Sequence, residues 1–204
     1  MKNIILRICI IGILVGVLAG VGIAFLIGKE VEVEIEDTFC GIEWGSEKIV
    51  VEATLERKGY KNISEGSSAF SMFYAEDYAG ISGANGYIVC SYDKKGRIEM
   101  IMITFKSESD SDKAPETTKG SLIDTMSEAY VKELKKLSNK TLTHDEYCDK
   151  SGEETAPLGD MEMYSLGEKS LITIYGEESE RFSIVYESAK SEFAQHFKKV
   201  FDEE

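Results

Sequence analysis

The sequence predicts an α+β fold. An N-terminal transmembrane helix is followed by helix, three strands, helix, three strands, helix. The strands form an antiparallel sheet with helices packed on it. Three observations predict this order. One apolar run near the N-terminus carries no charge over 20 residues, Ile8 to Ile27. Two groups of alternating apolar segments follow, each broken by short glycine-bearing turns. Stretches with helical apolar spacing stand before, between and after those groups.

At about 1.5 Å per residue the run spans roughly 30 Å, the thickness of a bilayer's hydrocarbon core. Lys2 and Arg7 precede it, while Glu30, Glu32, Glu34, Glu36 and Asp37 follow. The positive-inside rule then places the N-terminus in the cytoplasm and the remainder outside, in a single-pass cell-membrane protein. A cleaved signal peptide is the competing reading, with Val17-Leu18-Ala19 as its cleavage site. The length of the run favours a retained anchor. Leu18-Ala19-Gly20 is followed by Val21, so a lipidation site lacks its cysteine. Gly12, Gly16, Gly20, Ala24 and Gly28 recur every fourth residue. On a helix they line one groove of small side chains, which admits a second helix and suggests a homodimer through the membrane.

Residues 1–28 are thus read as the anchor, 29–38 as an acidic linker or strand, and 39–204 as the extracytoplasmic domain. In the linker, Val31 to Glu36 alternates strictly between apolar and acidic residues. Ser46 is the expected N-cap of a helix over 46–58, with Ile49, Val50, Ala53 and Leu55 on its inner face. Arg57-Lys58-Gly59 is the stop. Phe70, Met72 and Tyr74 alternate as a strand. Residues 86–92 and 97–105 flank Asp93-Lys94-Lys95-Gly96 as a hairpin. The second of these is apolar on both faces, which marks a central strand. Residues 106–120 carry Pro115 and read as a loop. Ser121 with Asp124 resembles a capping box, and Leu122, Met126, Ala129, Tyr130, Leu134 and Leu137 mark an amphipathic helix. Residues 138–159 read as a long polar loop. A second meander spans Met161–Leu166, Leu171–Tyr175 and Phe182–Glu187. A last helix bears Ala189, Phe193, Phe197, Val200 and Phe201.

The charge narrows the partners. Removing Lys2 and Arg7 from 23 basic residues leaves 21 against 37 acidic ones, a net −16 for the rest of the chain. Such a surface repels nucleic acid and anionic lipid, and suits basic partners or cations. Cys40, Cys90 and Cys148 fit either one disulfide with a free thiol or three reduced thiols. No CxxC pair points to a redox or zinc site, and no cofactor is expected.

Enzyme signatures fail on spacing. Gly80-Ile81-Ser82-Gly83-Ala84 lacks the second glycine of a nucleophile elbow. Lys119-Gly120-Ser121 lacks the leading glycine of a phosphate loop. His144-Asp145-Glu146-Tyr147-Cys148-Asp149 contains ligand types, but adjacent loop residues rarely converge on one ion. His196, beside Phe193 and Phe197, reads as packing or surface.

The stretch Phe39-Cys40-Gly41-Ile42-Glu43-Trp44-Gly45-Ser46, leading into a short helix and Lys58-Gly59-Tyr60, resembles a G-I-x-W-G-S turn in small bacterial exported proteins. The element order over about 39–187 is similar to that of β-lactamase-inhibitor proteins and of outer-membrane-assembly lipoproteins of the BamE/SmpA type. That resemblance implies a module that binds other proteins, here an envelope or cell-surface protein. It directs attention to Trp44, whose bland alternative is a core aromatic. The chain departs from the lipoproteins in lacking the lipid-bearing cysteine. Three functions are therefore carried forward. The first is a non-catalytic interaction module using the sheet face or the 138–159 loop. The second is a small-ligand or cation sensor, and the third a carboxylate hydrolase.

Overall fold

A computed structural model describes residues 33, 35–64, 66–78, 84–106, 116–137, 141–152, 161–177 and 181–202. The apolar run with Gly12, Gly16 and Gly20 lies outside them. Among the described residues no helix is long and apolar enough to cross a membrane.

Eight strands form one antiparallel sheet. They are β1 (Lys61–Asn62), β2 (Phe70–Ala75), β3 (Gly86–Tyr92), β4 (Ile98–Lys106), β5 (Thr141–Thr143), β6 (Met161–Leu166), β7 (Ser170–Glu177) and β8 (Arg181–Ser188). Their order is β1-β2-β3-β4-β8-β7-β6-β5. Two four-stranded meanders thus meet at β4 and β8, and the outermost strands have only two and three residues. Four α-helices accompany them among the described residues: α1 (Lys48–Arg57), α2 (Glu116–Leu137), α3 (His144–Ser151) and α4 (Glu192–Asp202). Residues 33, 35 and 36 belong to no strand, so that part of the acidic segment is connecting chain.

The Asp93 turn forms as its residues dictate. Gly96 takes φ 73°, and the Asp93 carboxylate accepts the backbone N–H groups of Lys95 and Arg97 at 2.7 and 2.8 Å. Those bonds hold its carboxyl below the usual range. β4 is central, as its apolar pattern requires.

Directly opposed residues share a face, so the register defines two surfaces. On the first, Phe73, Ile88, Ile103, Ile184 and Ile174 form one row across five strands, each fully buried. The 3-10 turn Phe39–Gly41, α1 and α2 cover this side. An aromatic cluster joins them to the sheet: Tyr78 packs edge-on to Phe105 at 4.9 Å, and Tyr130 of α2 lies 5.7 Å from Phe182. Phe39 lies 5.6 Å from Tyr186. Burial raises the tyrosine hydroxyls here, that of Tyr130 to about 12.

Both faces of the sheet carry helices. On the second face α3 and α4 cover the C-terminal meander. Tyr147, Ala194 and Phe197 pack with Tyr164, Leu166, Leu171 and Leu142 in a separate core. The reason lies in β7. Leu171, Ile172, Thr173 and Ile174 are all buried, so both of its sides need cover.

Other expectations are corrected. α1 begins at Lys48 after Glu47, and the Ser46 hydroxyl donates to the Glu43 carbonyl at 2.6 Å instead of capping. Val51 and Leu55 form its buried seam, while Ile49 and Val50 are exposed. At its first residue the Lys48 ammonium donates to the Ser67 and Phe70 carbonyls and lies over the Tyr92 ring. α2 begins at Glu116, five residues before Ser121, so Ser121 is not its cap. The 138–159 segment contains β5 and α3, not a continuous loop. α3 is opened by a capping box between Thr143 and Glu146 and closed by Gly152 at φ 71°.

Candidate functional site

On the second face, the N-terminal meander has no helix over it among the described residues. Its rows are Phe70–Ser91–Met100–Glu187, Met72–Val89–Met102–Val185 and Tyr74–Tyr87–Thr104–Ser183. The first two positions along β2, and those on β3 and β4, are apolar or aromatic with few exceptions. Phe70 and Tyr87 are each 43% exposed, against 0% for Phe73 and Ile88 on the reverse side of the same strands. Met72, Val89, Met100 and Met102 are half-buried. Tyr74 and Tyr87 pack against each other with ring centroids 5.8 Å apart. The surface is an apolar sheet face rich in methionine, a side chain that adapts its shape to a contact.

The face ends in a groove of about 1000 Å3. Trp44 lines it, with Ser91, Met100 and Glu187 from the first row. The indole Nε1–H donates to Ser170 Oγ at 3.0 Å. Ser170 in turn donates to the Asp37 carbonyl, and its backbone N–H reaches the Asp37 carboxylate at 3.0 Å. The Lys169 backbone N–H reaches the same carboxylate at 2.7 Å. The chain leaving the acidic segment is thereby bound to the β6–β7 turn, and Trp44 is held half-buried at the mouth of the groove.

The groove is acidic. Glu43, Glu99, Glu168, Glu187 and Glu192 line it against Lys169 and Lys190. Lys169 forms an ion pair with Glu43 at 2.9 Å. Glu99 sits where β4 slips against β3, between the pairs Ser91–Met100 and Tyr92–Ile98. Such a bulge re-aims a side chain at a sheet rim. Glu187 stands between Met100 and Leu171 in its row, and burial pushes its carboxyl above the ordinary range, opposed by the Ser191 hydroxyl donating at 3.2 Å.

The histidine segment is ordered differently from the loop expected. On α3 the His144 Nε2 lies 3.7 Å from Cys148 Sγ, and Nδ1 lies 3.1 Å from the Asp145 carboxylate. Among the described residues no group of three or more side chains converges to hold a metal ion. His196 is exposed on α4, edge-on to Tyr147 at 6.4 Å. Cys40, Cys90 and Cys148 are free thiols. Gly80 to Gly83 lie outside the described residues.

Sequence reasoning singled out Trp44 but missed its neighbours. The alternation of Phe70, Met72 and Tyr74 was visible, yet whether that side faces core or solvent depends on where helices land. Glu187 carried no signal in so acidic a chain. No protein-family model, no curated protein and no solved structure matches this chain.

Proposed function

We propose that this protein is a non-catalytic, membrane-tethered interaction module. Its domain stands outside the cytoplasm and binds an envelope or cell-surface protein through the open half of the sheet. The observation that supports this is the apolar row Met72–Val89–Met102, over which no helix lies among the described residues, beside exposed Phe70 and Tyr87. An apolar patch of this kind on a soluble surface marks a contact site. Binding by strand addition is disfavoured, because the sheet ends in strands of two and three residues. The face is therefore the docking element. The resemblance to β-lactamase-inhibitor and BamE/SmpA-type proteins agrees with a binding role, and the Gly12, Gly16 and Gly20 stripe supplies helix packing within the membrane.

The test is crosslinking in intact native cells with an affinity tag at the C-terminus, followed by mass spectrometry. A reproducible envelope protein should be captured by the native chain and lost in Met102→Glu and Tyr87→Glu variants. Capture that is indifferent to both substitutions would remove the sheet face from the reading. Protease accessibility of the C-terminal tag in whole cells tests the orientation.

A further inference from the structure

We propose that the groove at the end of the open face holds a cationic side chain, arginine or lysine, of a partner protein whose neighbouring apolar residues cover Met72, Val89 and Met102. The inference rests on the reading of that face as a protein-binding surface and adds the chemistry of the partner.

Three observations carry it. The register puts Glu187 directly between Met100 of β4 and Leu171 of β7, so a carboxylate is flanked on both sides by apolar side chains. A half-buried carboxylate there has lost hydration that a cation would replace. The groove holds five glutamates and two lysines, a formal −3, and one lysine is committed to Glu43. Trp44 lines the same space. A tryptophan ring beside carboxylates is suited to a guanidinium or ammonium, which gains from the ring quadrupole as well as from charge.

Competing occupants fit less well. A second copy would bring another net −16 and the same acidic groove against this one. An anionic lipid surface meets the same repulsion. A purely apolar partner would strip the remaining water from the Glu187 carboxylate and leave the Ser191 hydroxyl, a neutral donor, to offset its charge.

The test uses the full chain in its native cells with the photoreactive residue p-benzoylphenylalanine at position 102. After irradiation, the crosslinked segment is sequenced. A protein segment with Lys or Arg among apolar residues is expected. Its yield should fall about tenfold or more in the Glu187→Gln, Glu99→Gln variant, since neutralising one side of a desolvated charge pair costs at least that factor. Glu99→Gln alone touches an exposed residue, leaves the fold intact, and should give a smaller drop in the same direction. Glu128→Gln, on the exposed side of α2, serves as the control and should change nothing. Undiminished crosslinking to a protein in both groove variants would overturn the cation site while leaving the binding face standing. Adducts only with lipid, only with a second copy, or none at all would overturn both.

Discussion

Ile103 and Met102 are neighbours on β4, yet the structure assigns them opposite fates. Ile103 is 0% exposed, between Ile88 and Ile184 on the covered side, whereas Met102 is half-buried between Val89 and Val185 on the open side. Ile103→Ala leaves a cavity that packed neighbours cannot fill, at about 2–5 kcal/mol. Met102→Ala removes contact area next to solvent and leaves no enclosed void, so it should cost under about 1 kcal/mol. For a domain of this size each kcal/mol moves Tm by roughly 2–4 °C. Ile103→Ala should therefore lower Tm by about 7–14 °C if its cost is near 3.5 kcal/mol, and Met102→Ala by less than about 4 °C. Thermal unfolding of the full chain in detergent, followed by the fluorescence of Trp44, the sole tryptophan, measures both. Equal losses would mean that β4 is covered on both sides, and the binding face would not exist.

Four further outcomes are expected. Burial raises the Cys40 thiol from 9.0 to about 11, Cys90 from 9.0 to about 12 and Tyr130 from 10.0 to about 12. The folded state thus holds these protons more tightly, so stability is full below about pH 9 and falls as pH rises towards 12. A Tm unchanged between pH 8 and pH 11 would contradict that sign. Ser170→Ala removes the acceptor of the Trp44 indole and a buried hydroxyl, and should shift Trp44 emission while costing about 1–3 kcal/mol. Gly86→Ala places a Cβ 2.6 Å from the Thr104 carbonyl oxygen and 3.1 Å from Phe105 Cδ1. Overpacking of about 1–3 kcal/mol should appear as a lower unfolding temperature. Thr143→Ala breaks the capping box of α3 and should cost about 1 kcal/mol, seen as faster amide exchange confined to His144–Ser151.

The elements that local chemistry specifies were legible. The Asp93–Gly96 turn, the alternation of β3 and β4, the second meander and the last helix follow from side-chain periods and turn residues alone. The cap of α3 was equally present, since Thr143 and Glu146 have capping-box spacing and Gly152 follows. It was obscured because only Tyr147 of its eight residues is buried. A helix so polar shows almost no apolar period, and its identity rests on its ends.

Composition and pattern alone determined the α+β class, the hairpins and the acidic surface, whereas the weight placed on Trp44 came from the resemblance of its turn. These depend on interactions within a few residues or on sums over the chain. Tertiary structure decided which side of each strand meets water. Met72 and Tyr164 sit in the same row of the same sheet, yet α3 and α4 bury one and leave the other partly exposed. Alternation tells which residues share a face, but cover comes from helices far away in sequence. That long-range choice leaves the apolar face without a helix among the described residues and brings Trp44, Glu99 and Glu187 to one groove.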